Sequence, residues 1–140
     1  MERQILEDYK INVKLKLSAL WVSLIFCYIY GDYFELYVPQ KVSGLLSGEN
    51  MLDTPSKLFI ATLVLVIPSL MICLSILLKS AISRWLNIIF GLVFTLMMLF
   101  IAINSISSWY SFYVFLAFTE SIITAYIVWL AWNWPLSKTS

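Results

Sequence analysis

The sequence predicts an all-α protein, a four-helix transmembrane bundle that runs up-down-up-down with both termini in the cytoplasm. Three observations predict it. The chain of 140 residues is 61% hydrophobic and 12% charged, with a mean hydropathy of +0.89, whereas charged residues make up about a quarter of a soluble domain. Four apolar runs each have the length of about 20 residues that a helix needs to cross a bilayer. The basic residues lie mostly on one side of these runs.

The four spans are predicted at about residues 15–38, 57–78, 82–104 and 109–134. Because these runs are continuously apolar and much longer than a tilted transmembrane strand, a β-barrel is disfavoured. The links leave little chain for another module, so residues 1–140 are expected to form a single integral membrane domain. The N-terminal segment has mixed charge and lacks a small-residue cleavage site, so the first helix is expected to be retained.

Local signals refine the second and third spans. Thr54 and Pro55 suit the N-cap and the first helical position of the second span, and Pro68 is expected to kink it. In the third span, small and polar residues recur every four positions, which favours close helix contact; they are Asn87, Gly91 and Thr95. The link over residues 39–56 is compatible with a short helical turn at the membrane surface and with an irregular loop.

Orientation follows from the positive-inside rule. Only Lys41 and Lys57 lie on one side of the predicted spans, and this side is therefore expected to face outward. Aromatic residues cluster at both predicted interfaces, as in transmembrane proteins generally. The seven basic residues on the opposite side, predicted to be cytoplasmic, are Arg3, Lys10, Lys14, Lys16, Lys79, Arg84 and Lys138.

Carboxylates in two of the spans are the unusual feature of the sequence. Asp32 and Glu35, in "CYIYGDYFELY", share a helical face with Tyr28 near the predicted outer end of the first span. Glu120 lies about 16 Å below the outer interface, close to the bilayer midplane, where a charge is costly. No Lys or Arg lies inside any predicted span. These acids are therefore expected to be protonated, hydrogen-bonded, or paired with an external cation.

These acids define the predicted site. The polar end of the third span, "NSISS", is expected at about the level of Asp32. A cation would be attracted by carboxylates and by aromatic faces together. The predicted ligand-binding residues are Tyr28, Asp32, Glu35, Asn104 and Glu120.

Several kinds of chemistry lack their usual residues. The chain has no histidine, and its two cysteines, Cys27 and Cys73, are not in a C-x-x-C arrangement and are expected to be unpaired. It also has no glycine-rich phosphate loop, no nucleophile motif and no basic patch suited to nucleic acid. We therefore expect no cofactor, no metal site, no catalytic residue and no nucleic-acid partner, and an enzyme is the least favoured class.

Two functional hypotheses remain from the sequence. In the first, the helices enclose an outward-facing intramembrane site for a small cationic or proton-linked solute, and the protein transports or senses that solute. In the second, the chain is a non-catalytic structural or assembly subunit of a membrane complex, whose polar residues hold helices together. The expected partners are the lipid bilayer and, under the first hypothesis, a cation or proton. A homo-oligomer is compatible with both.

The first span also carries a family resemblance. The stretch "INVKLKLSALWVSLIFCYIYGDYFELYVP", with "KLSALW" and "CYIYGDYF" as its most distinctive parts, resembles the opening of a family of small four-helix bacterial integral membrane proteins of unknown function. The resemblance covers about 30 residues, and the later spans match only in length and hydropathy. It implies a bacterial inner (plasma) membrane location and no particular activity.

Overall fold

A computed structural model describes residues 9–136, and this part of the chain is all-helical. Four of its helices are long and apolar enough to cross a membrane, which confirms the predicted all-α class with four candidate spans and indicates an integral membrane protein. A single 3-10 turn, Ser108–Tyr110, leads directly into the last helix. The helices are α1 (Val13–Glu35), α2 (Lys41–Ser47), α3 (Pro55–Leu77), α4 (Ser80–Asn104) and α5 (Ser111–Trp132).

The ends of α1 differ by two or three residues from the predicted ones. The helix begins at Val13 because the side chain of Asn12 caps it, accepting a hydrogen bond of 2.9 Å from the backbone N–H of Lys14. It ends at Glu35 rather than near residue 38. Pro39 disfavours the helical conformation for the residue before it, so the chain turns here.

The link between α1 and α3 contains the short helix α2, so it is not an irregular loop throughout. The backbone is left-handed at Gln40 on one side of α2 (φ 66°) and at Gly48 on the other (φ 80°). No residue of α2 is buried. The predicted start of α3 is confirmed, since Pro55 is its first residue and the Thr54 hydroxyl accepts a hydrogen bond from the Lys57 N–H.

The helices pack unequally against one another. The most extensive interface joins α4 to α5, α1 packs on both α3 and α5, and α3 touches α4 only sparingly. Gly91 allows the close approach of α4 to α5, because a Cβ at this position would lie 2.7 Å from Cγ2 of Val128. One turn further along, the hydroxyl oxygens of Thr95 and Thr124 lie 2.8 Å apart. The predicted packing role of this stripe is confirmed.

Asn87 lies at the centre of a buried polar network that joins three helices. Its side-chain oxygen accepts hydrogen bonds from Nε1 of Trp21 on α1 (2.7 Å) and from the hydroxyl of Ser75 on α3 (3.2 Å). Its Nδ2 donates to the carbonyl of Ser83 at 2.8 Å. All four side chains are completely buried, so the network links α1, α3 and α4 where water cannot replace the bonds.

Two basic side chains bind the carbonyl groups that terminate other helices. Lys14 Nζ donates to the carbonyl oxygens of Ile76 and Leu78 at the end of α3. Arg84 donates to the carbonyl oxygens of Ala131 and Trp132 at the end of α5, both at 3.1 Å. A cation at a helix C-terminus is favourable because the last carbonyls lack helical partners. These contacts bring the starts of α1 and α4 and the ends of α3 and α5 together, at what we call the basic end.

The opposite end, called the loop end, carries the C-terminus of α1, α2 and the Ser108–Tyr110 turn. Its outward orientation remains a prediction from the distribution of basic residues. We expect green fluorescent protein fused after Ser140 to fluoresce and alkaline phosphatase fused there to be inactive, because both termini should be cytoplasmic. Alkaline phosphatase inserted at Gly48 should be active. An active phosphatase after Ser140 would reverse the proposed orientation.

Candidate functional site

A cavity of about 320 Å³ lies between the four long helices, in the half of the bundle nearer the loop end. Every long helix contributes to its wall, as does Leu52 from the segment before α3. Most of the lining is aliphatic or methionine. Among the described residues, no basic side chain lines it, and the polar groups in its wall are two carboxylates and two phenols; these four are Tyr28, Asp32, Tyr113 and Glu120.

Glu120 is the deepest acid in this cavity. Its side chain is only 5% exposed, and within residues 9–136 its carboxylate makes neither a hydrogen bond nor an ion pair. The hydroxyl of Thr124, one turn further along α5, donates to the backbone carbonyl oxygen of Glu120 at 2.9 Å. A buried carboxylate without a partner is costly, by several kcal/mol on some scales. The site therefore contains an unsatisfied group that a ligand could neutralise.

Tyr28 is a second buried group with unused hydrogen-bonding capacity. It is 9% exposed, and its hydroxyl is fully buried with no hydrogen-bond partner in the described part of the chain. Buried hydroxyls are usually paired. Since Tyr28 lines the same cavity as Glu120, both unpartnered groups belong to one site.

The two acids near the end of α1 line different cavities, although they share a helical face. Asp32 is exposed overall and lines the cavity beside Gly31. Glu35 instead forms an ion pair with Lys41 of α2 and accepts a hydrogen bond of 3.2 Å from the Tyr110 hydroxyl. The expectation that none of the three acids has a basic partner is therefore wrong for Glu35. A lysine outside the spans reaches it because α2 folds back over the end of α1.

Asn104 is also separate from Glu120. Its Nδ2 donates to the carbonyl of Phe100, one turn earlier on α4, at 2.7 Å. Together with Glu35 it lines a second cavity of about 800 Å³ at the loop end. The two cavities share Ile101 and Tyr113 as wall residues. The predicted site residues are thus divided, with Tyr28, Asp32 and Glu120 in the smaller cavity and the other two in its larger neighbour.

Tyr113 is the site residue that the sequence interpretation missed. It is one of the aromatic residues near the predicted outer interface, and in the structure it lines both cavities. The spacing could have revealed it, since Tyr113 and Leu116 lie seven and four residues before Glu120 and therefore share its helical face. Leu52 carries no comparable signal, because its position depends on how the loop folds.

The chemistry open to this arrangement is limited. No group of three or more potential metal ligands occurs within residues 9–136, and two carboxylates do not complete an ordinary metal site. Cys27 and Cys73 are free, as expected. Two carboxylates, two phenols and an apolar wall are suited to non-covalent binding of a positively charged group.

Comparison with known proteins identifies a family. No curated protein and no solved structure shows a significant match to the chain. A family model, described as "Family of unknown function (DUF6326)", matches residues 4–139. This range includes all four long helices and the two cavities, so the match extends well beyond the first span that carried the resemblance. The chain belongs to this family of unknown function.

Proposed function

We propose that this protein binds a small organic cation in the cavity that contains Asp32 and Glu120. It either transports that cation across the membrane or senses its presence. The observation that carries the proposal is the Glu120 carboxylate. Among the described residues, this buried group lacks a partner, and no basic side chain lines the cavity that it faces. A bound cation would offset the cost of burying this charge.

The composition of the cavity wall favours an organic cation over a bare metal ion. Two carboxylates provide too few ligands for Ca²⁺ or Mg²⁺, which take six or more oxygens. Tyr28 and Tyr113 provide aromatic faces that attract an ammonium group. Met97 and Met98 belong to the largely apolar remainder, and methionine adapts to ligands of irregular shape. A volume of about 320 Å³ lies at the lower end of ligand pockets, which range over about 300–1,000 Å³.

The larger cavity at the loop end supports entry from that side. It shares Tyr113 and Ile101 with the smaller cavity, so a solute in it is separated from Glu120 by few side chains. Of the two acids that line it, Glu35 is already paired with Lys41, and Glu49 is exposed, where a charge attracts a cation only weakly. We infer that a cation passes through the outer cavity without strong binding and is held where the unpaired carboxylates lie.

Proton binding is the natural alternative to cation binding at Glu120. When the cavity holds no cation, a proton on this carboxylate removes the buried charge. The other titratable groups that line the cavity are Asp32, Tyr28 and Tyr113. A cation and a proton therefore compete for the same group, which would couple solute binding to pH.

A purely structural role, in which Glu120 would hold helices together by hydrogen bonds, accounts less well for this residue. Polar residues hold helices together in membranes by hydrogen-bonding across the interface. Asn87 does this, with bonds to Trp21 and Ser75 on two other helices. The carboxylate of Glu120 has no such bond within residues 9–136. Assembly with a second subunit remains the rival function, and the following experiment distinguishes the two.

Replacing Glu120 by glutamine is expected to abolish cation binding while the fold is retained. The amide preserves shape but removes the charge, so the affinity should fall by at least about tenfold. The measurement is the shift in melting temperature of the purified protein with tetramethylammonium, tetraethylammonium or tetraphenylphosphonium chloride, each compared with sodium chloride at equal ionic strength. In the wild type, lowering the pH should weaken the shift, because a protonated Glu120 is neutral.

The matched control is Asp53→Asn, which makes the corresponding acid-to-amide change at an exposed residue of the loop end that lines neither cavity. It should leave the cation-dependent shift unchanged. If Glu120→Gln retained the shift and its pH dependence, Glu120 would have no part in the site. If no cation shifted the wild-type melting temperature more than sodium does, the assembly hypothesis would be favoured instead.

A further inference from the structure

A third cavity, of about 690 Å³, lies at the basic end of the bundle, far from Glu120. The start of α1 with the segment before it, the start of α4 and the segment after α5 form its wall. Within residues 9–136, three cationic side chains and no carboxylate line it; the cations are Lys10, Lys14 and Arg84. The cavity therefore concentrates positive charge, in contrast to the acidic cavity in the other half of the molecule.

Two of these cations are held in place by the fold. Lys14 and Arg84 hydrogen-bond the terminal carbonyls of α3 and α5, so their positions are set before any ligand arrives. Arg84 uses Nε and Nη2 in these bonds, which leaves Nη1 available. Lys10 is exposed and hydrogen-bonds to no residue in the described part of the chain. It can turn toward an anion at little cost.

The start of α4 adds backbone donors to the same wall. Ser80 and Ala81 line the cavity, and α4 has no side-chain cap. The first N–H groups of a helix lack helical acceptors, and they carry the positive end of the helix dipole. Together with the three side chains, they make the wall suitable for a phosphate group.

The remaining wall decides which phosphate compound fits. Ile11, Trp134 and Leu136 give the cavity an apolar side, and the cavity lies where the membrane-spanning helices begin and end. This is the level of lipid headgroups, where tryptophan is enriched. Inorganic phosphate has no apolar group that could pack against this wall. We propose that this basic cavity binds the headgroup of an anionic phospholipid, with the phosphate near Lys10 and Arg84 and the glycerol and acyl region against Trp134.

The test is native mass spectrometry of the purified full-length protein in detergent, titrated with phosphatidylglycerol, phosphatidylcholine or inorganic phosphate. We expect phosphatidylglycerol to bind more tightly than phosphatidylcholine and inorganic phosphate not to displace it. Lys10→Gln should lower the affinity for phosphatidylglycerol about fivefold, which is the effect of one cation near an anionic lipid. The matched control is Lys16→Gln, which removes an equal charge from an exposed residue of the same end that does not line the cavity.

Ala81→Glu provides a second variant whose fold should survive. A carboxylate in the first turn of a helix is favourable for the helix, yet at this exposed position it would place a negative charge in the cavity wall. Phosphatidylglycerol binding should be lost while the melting temperature is maintained. Three results would each overturn the proposal: equal binding of the two lipids, equal losses in Lys10→Gln and Lys16→Gln, or displacement of the lipid by inorganic phosphate.

Discussion

Replacing Gly91 by leucine is expected to lower the free energy of unfolding by about 3 kcal/mol or more, the upper end of the usual cost of overpacking. Even a Cβ at this position would lie 2.7 Å from Cγ2 of Val128 and 3.4 Å from the carbonyl oxygen of Thr124. Valine is stiff at χ1, so the contact cannot be relieved by a small side-chain movement. The helices α4 and α5, which form the largest interface of the bundle, would have to separate.

Graded variants make this prediction specific to the helix contact. Gly91→Ala should destabilise by about 1 kcal/mol, because the clash outweighs the gain of up to about 1 kcal/mol in helix propensity. The matched control is Gly31→Ala on α1, where the new Cβ would meet Cδ1 of Leu116 at 3.6 Å, an ordinary contact. It should leave stability unchanged or raised. Reversible unfolding in mixed detergent micelles measures the free energy of unfolding of all three variants. A Gly91→Leu protein as stable as the wild type would contradict the proposed packing.

Replacing Asn87 by leucine is expected to cost about 2 kcal/mol. The change leaves Nε1 of Trp21 and the hydroxyl of Ser75 without their shared acceptor in a place that water does not reach. An unsatisfied buried donor costs about 1–3 kcal/mol, although single interhelical bonds in membranes average about 0.6 kcal/mol. We expect the cost of losing Asn87 to exceed that average, because its hydrogen bonds link three helices at once.

A double-mutant cycle isolates the bond between the two largest members of this network. Trp21→Phe keeps an aromatic ring while removing the donor, so in combination with Asn87→Leu no indole N–H is left unpaired. The double variant should therefore lose less stability than the sum of the two single variants, with a coupling of about 0.5–3 kcal/mol. Strict additivity would show that Trp21 and Asn87 do not stabilise each other. The melting temperature in detergent gives a parallel readout.

The sequence alone determined the class of protein and the number of long helices. Spans of about 20 apolar residues and caps such as Thr54 are local features, and local features depend on few neighbours. The stripe of Asn87, Gly91 and Thr95 could also be predicted from the sequence, because residues four positions apart share one face of a helix wherever that helix packs. The same rule could have placed Tyr113 with Glu120, had their seven-residue spacing been used.

Only the tertiary structure decided which polar groups meet. Asp32 and Glu35 share a face of α1, yet Lys41 reaches Glu35 because α2 folds back over the end of that helix, and nothing in the spacing of α1 encodes that fold. Lys14 and Arg84 were read as signals of orientation, whereas in the bundle they bind the carbonyl ends of α3 and α5. Helical periodicity describes one element at a time, and a partner on another element is set by how the helices pack. For that reason Glu120 could be recognised from sequence as a buried acid, while its lack of a partner within the described residues became visible only in the folded bundle.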